Sequence, residues 1–138
     1  MTGESWRIRA GSPNDRELLT SFACADPAVR WQVEVEQFIQ AQLLEWAFEP
    51  LAAEGDPRLL LAFTATGELL GVAAHERAIL QAADRSQFHA TKLEVIAVGL
   101  KWQGQQLPTG ERPSDILMSA VMTETEGLAP PPKKLAPP

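Results

Sequence analysis

The sequence predicts an α/β (α+β) domain, a mixed, mostly antiparallel sheet flanked by helices. Three observations point there. Residues 6–10 alternate, with Trp6, Ile8 and Ala10 on one face and Arg7 and Arg9 on the other, the period of a half-buried strand. Trp31, Val35, Phe38, Ile39, Leu43 and Trp46 recur at helical spacing and form one apolar stripe. Residues 58–98 hold further apolar strand-like runs, two of them joined by a tight turn.

The elements follow in order. Trp6–Ala10 is the first strand. Ser12-Pro13 opens a helix running to about Cys24: Ser12 can cap, Pro13 suits the first helical position, and Asp15 and Glu17 favour the positive end of the dipole. Asp26-Pro27 repeats the signal, and a longer helix is expected from about Ala28 to Phe48. Its stripe reads as core, and could also wall a pocket for a small substrate. Pro50 closes this region, and Glu54-Gly55-Asp56-Pro57 is a turn. Arg58–Thr64 is a strand, Ala65–Glu68 a hairpin turn, and Leu69–Ile79 the returning strand, with Gly71 at a bulge or close packing point. A loop is expected from Gln81 to Thr91. Leu93–Val98 is a short buried strand ended by Gly99. A polar glycine loop follows and enters a helix near Ser114, which runs along Ile116, Leu117, Ala120 and Val121. Such a helix start leaves N–H groups unpartnered and attracts anions. The domain spans 1–122. Residues 123–138, crowded with proline, read as a disordered tail.

Composition narrows the function. A chain of 138 residues suffices for one domain with a real core. Its net charge of −6 argues against nucleic acid or an anionic membrane surface as partner. The single cysteine, Cys24, excludes an intrachain disulfide framework and reads as a buried structural thiol. His75 and His89 make no metal-ligand spacing with it, so no metal is expected. No stretch has the length of a membrane span and the N-terminus has no apolar signal region, so a cytoplasmic protein is the expectation.

Three stretches carry a family resemblance. They are WRIRAGSPNDRELL at 6–19, LLLAFTATGELLGVAAHE at 59–76, and LEVIAV at 93–98 followed by WQGQ at 102–105. In this order they resemble the first two-thirds of the GNAT superfamily of acyl-CoA-dependent N-acetyltransferases. The third looks like the family's central strand and pyrophosphate loop. The chain departs from the pattern by the extra residues QQLPTGERP in that loop, by having no tyrosine, and by a tail unable to supply the family's last strands. The resemblance covers residues 6 to about 122 and implies a fold lacking those strands. A truncated or frameshifted reading frame, or a complementing chain, would account for it.

The resemblance implies transfer of an acetyl group from acetyl-CoA to a primary amine. Backbone groups of Ile96, Ala97 and Val98 would grip the pantetheine arm and polarise the thioester. Gln103, Gly104, Gln105, Gly110, Arg112 and Ser114 would hold the pyrophosphate. Glu94, sharing a strand face with Ile96 and Val98, is the candidate base, with a salt-bridged strand-end carboxylate as its other reading. His75 is the second candidate, with a surface histidine the favoured reading. His89 reads as a loop residue. Lys101 would neutralise phosphate or stand as an isolated surface charge. Acyl-CoA and an amine are the expected partners, with a homodimer or complementing chain completing the sheet. The alternative is a non-catalytic CoA-binding or interaction module, or a remnant that needs a partner chain.

Overall fold

The structure, a computed structural model, describes residues 6–49 and 58–126. It is an α+β arrangement whose four strands all pair antiparallel in the order β1-β2-β3-β4. The strands are β1 (Trp6–Ala10), β2 (Leu59–Thr64), β3 (Leu69–Gln81) and β4 (Gln87–Val98). No parallel pairing occurs among the described residues, where a mixed sheet was expected. The helices are α1 (Arg16–Thr20), α2 (Arg30–Ala41), α3 (Leu43–Ala47) and α4 (Pro113–Glu126), with single 3-10 turns at Pro13–Asp15 and Leu100–Trp102.

β2 is buried along its whole length because helices cover both sides of the sheet. Leu59, Leu61, Phe63, Val72, Ala74 and Ala97 face the first core, shared with Leu19, Phe22, Ile39, Leu43 and Leu44. Leu60, Ala62, Leu70 and Ala73 face the second, shared with Ile116, Leu117 and Val121 of α4. The alternation along β2 thus feeds two opposed apolar layers. Close approach sets the spacing at Gly71: a Cβ there would lie 2.5 Å from Ala97 O and 2.9 Å from Leu117 Cδ1.

Several boundaries differ from expectation. The first helical region ends at Thr20, so Cys24 lies on an irregular segment and not on a helix. The long helix is broken at Gln42, whose φ of −130° takes it out of the helical range. That break turns Leu43, Leu44 and Ala47 all inward. Trp31, counted in the apolar stripe, is 65% exposed.

The stretch 81–91 is not a loop. β3 runs to Gln81, β4 starts at Gln87, and His89 lies within β4. The turn between them is closed by Ala82 N–H on Ser86 O and by Asp84 Oδ1, which accepts Ser86 N–H. Both faces of this ribbon are largely exposed, so it lacks the apolar alternation that marks a strand in sequence. α4 begins at Pro113 and continues to Glu126, past the boundary expected at 122. The turn expected at 54–57 and the tail beyond 126 lie outside the described residues.

Candidate functional site

β4 is an edge strand among the described residues, and its register decides which peptide groups face outward. In an antiparallel ladder, opposed residues exchange both hydrogen bonds or neither. His75 donates its N–H to Arg58 O, towards β2, so Leu93 opposite it turns its peptide groups away from β3. Ala74 pairs with Val95 and His75 with Leu93, so Glu94 has no partner and forms a bulge. Beyond it, Gly99 N–H donates to Leu70 O, which places Val95 and Ala97 inward and Ile96 and Val98 outward.

A cavity of about 220 Å³ lies here, lined by Ile96, Ala97, Val98 and Gln103 with Cys24, Trp31, Gln32 and Val35. Three consecutive strand residues point to alternate faces, so a cavity touching all three runs along the strand edge. The structure therefore brings the strand residues and Gln103 together. The stripe of α2 does supply a wall, through Trp31 and Val35. Cys24 and Gln32 were not anticipated. Their placement depends on the irregular segment between α1 and α2, which no local sequence signal specifies. Gln32 Oε1 accepts Asp26 N–H, and Glu36 Oε2 accepts Cys24 and Ala25 N–H, fixing that segment. Burial pushes the Cys24 thiol up to about 11, and nearby Glu36 adds to this.

Gln103 occupies the end of the open edge. Its side-chain amide donates to Val98 O at 2.9 Å and to Cys24 O at 2.7 Å. Both amide hydrogens are thereby committed to backbone carbonyls. Gly104 and Gly110, with φ of +75° and +90°, make tight turns in the exposed loop. That loop is closed on itself by Leu107 N–H to Glu111 O and anchored by buried Leu107. Gln105, Gly110, Arg112 and Ser114 are exposed and do not line the cavity. At the start of α4, Arg112 O accepts the N–H groups of Asp115 and Ile116. Pro113 removes one N–H and Asp115 adds a carboxylate to the first turn, so the anion site expected there is weakened.

Glu94 is half-buried at the bulge and pairs with Lys92 at 3.3 Å. His75 is 7% exposed, not the surface histidine favoured by the sequence. Lys101 is no isolated charge: its Nζ lies 2.6 Å from Glu68 Oε2. That pair flanks a larger cavity of about 650 Å³ between Leu18, Phe22 and Trp102. Among the described residues no metal-binding cluster occurs and no helix is long and apolar enough to cross a membrane. No family model, curated protein or solved structure matches the chain.

Proposed function

We propose that this chain binds an acyl-CoA along the outer edge of β4 and transfers its acetyl group to a primary amine. One observation carries the reading: the cavity lies where the peptide groups of Ile96 face outward from an edge strand. An extended, amide-bearing pantetheine arm can add to such an edge as a further strand would. The order of elements, with the β4 edge, the bulge and the loop leading into α4, supports the same reading.

The chemistry follows from placement. An outward N–H at Ile96 polarises the thioester carbonyl as negative charge develops on its oxygen. The amine nitrogen attacks that carbon, the C–N bond forms, and the C–S bond breaks with release of the CoA thiol. Glu94, two residues along the strand, accepts the ammonium proton directly or through water. Lys92 Nζ lies 3.3 Å from its Oε2. Ile96, Ala97 and Val98 position the arm. Gly104 and Ser114 would offer backbone donors and Arg112 one cation to the phosphates; the Gln105 and Gly110 N–H groups are already given to Trp102 O and Leu107 O, so these two residues and Gln103 act through the loop backbone they shape.

A second reading, a non-catalytic CoA-binding module, is favoured by one observation. The phosphate cradle is impoverished, with the Gln103 amide consumed, Pro113 at the helix start and Asp115 beside it. The two readings separate in one experiment. Acetyl-CoA is added to the purified chain, and thermal stability and thiol release with a panel of amines are followed. Binding stabilises the fold by about 2.7 kcal/mol at a hundredfold excess over Kd. Stabilisation with thiol release supports transfer, and stabilisation without it selects the module. No stabilisation at millimolar ligand overturns both.

A further inference from the structure

We infer that a second copy of this chain pairs antiparallel with the distal half of β4, about a two-fold axis at Ala90. Among the described residues the sheet ends in two edges, β1 and β4, and they are unlike. β1 is five residues long and carries Arg7 and Arg9, features that discourage strand addition. β4 is twelve residues long, and its distal half forms a two-stranded ribbon with β3. Such a ribbon is marginal alone. It also exposes apolar side chains, with Ile79 at 51%, Leu80 at 47% and Phe88 at 44%.

The hydrogen-bond pattern specifies the partner. Ala82 N–H donates to Ser86 O, so Leu80, Ala78 and Glu76 bond inward to Phe88, Ala90 and Lys92. Gln87, His89, Thr91 and Leu93 therefore present their peptide groups outward. Beyond Leu93 the bulge at Glu94 shifts the outward set to Ile96 and Val98. A straight partner strand in register with the first set loses register there. The pairing ends at Leu93, and the cavity edge at Ile96 stays free.

The edge is self-complementary, as a two-fold interface must be. Only the register centred on Ala90 engages all of the first outward set, pairing Gln87 with the second copy's Leu93 and His89 with its Thr91. Ala90 then meets its own copy in a non-hydrogen-bonded pair, the closer kind, and its methyl group fits. Phe88 meets the aliphatic stem of the second copy's Lys92, which can cover the ring. A register centred on Lys92 would set like charges opposite each other. The pairing joins two four-stranded sheets into one.

The inference does not depend on the acyl-CoA reading. Sedimentation of the wild-type chain should show a concentration-dependent dimer in the micromolar range. A90C should form a disulfide-linked dimer under mild oxidation, since a pair at the axis lies within disulfide reach. F88C should not, because the two copies of position 88 are four residues out of register, roughly 13 Å along the strands. Cys24 is buried and serves as the wild-type blank. A90E should sediment as a monomer. A wild-type chain that stays monomeric at a hundred micromolar overturns the inference. So does a dimer in which A90C crosslinks no faster than F88C.

Discussion

Gln103 shows how one side chain can fix the shape of a cavity wall. Its amide ties the end of β4 to the segment after α1 through Val98 O and Cys24 O. Replacing it by leucine should cost about 1–2 kcal/mol, read from urea denaturation, and should loosen the cavity wall at Cys24. Asp15 is a second such residue. It accepts a bidentate pair from Arg9 and the Ser12 N–H that closes a capping box. The Arg9 hydrogen bond holds its carboxyl below the usual range, against the opposing effect of burial, with Ser12 assisting. Its folded pKa is depressed, so its stabilisation is present above the unfolded pKa and is lost as pH falls through the folded one. Asp15→Asn should cost about 1 kcal/mol at pH 6 and progressively less in more acidic solution, measured by denaturation across that range. Cys24, with its thiol raised to about 11, should resist a thiol reagent at pH 8 in the folded chain and react promptly in denaturant.

At the scale of the element, the two proposals share one edge of β4, and the bulge at Glu94 separates the stretches they concern. Gly71 on β3 permits this arrangement, since its missing Cβ lets β4 and α4 close in from both sides. Gly71→Ala should destabilise by about 1–3 kcal/mol, because the nearest obstacle is backbone and cannot swing away. Much of this element was legible in sequence. The run 93–98 named the strand, and Gly99 named its end. The other half, 87–92, was not. Gln87, His89, Thr91 and Lys92 carry no apolar alternation, because neither face of the ribbon meets a core. The ladder to β3 makes them a strand, and pairing is a property of two segments. The break at Gln42 was hidden for a related reason. The stripe continues through it in sequence, and only packing of Leu43, Leu44 and Ala47 together rewards the break.

At the scale of the whole molecule, two apolar layers hold one sheet between unlike helical covers. Among the described residues α4 is the one helix on the second face, joined there by Leu107, so Leu117, fully buried against the sheet, should be sensitive. Leu117→Ala should cost about 2–5 kcal/mol, read as a fall in Tm. The order of the main strands and helices could be read from the chain, because most of them carry their own period, the distal half of β4 and the break at Gln42 excepted. The site could be read only in part. Ile96, Ala97, Val98 and Gln103 line one cavity, since they are close in sequence. Cys24 and Gln32 join them across the fold, and Gly110, Arg112 and Ser114 stay at the far end of a loop that folds on Leu107. On the function proposed above, Ile96 receives an acyl-pantetheine arm at the strand edge. Titration of labelled protein with acetyl-CoA, followed by amide chemical shifts, tests it most directly. The Ile96 and Val98 amides should move in a saturable way while those of β1 stay fixed. Unmoved amides from 95 to 98 at millimolar acetyl-CoA would contradict it.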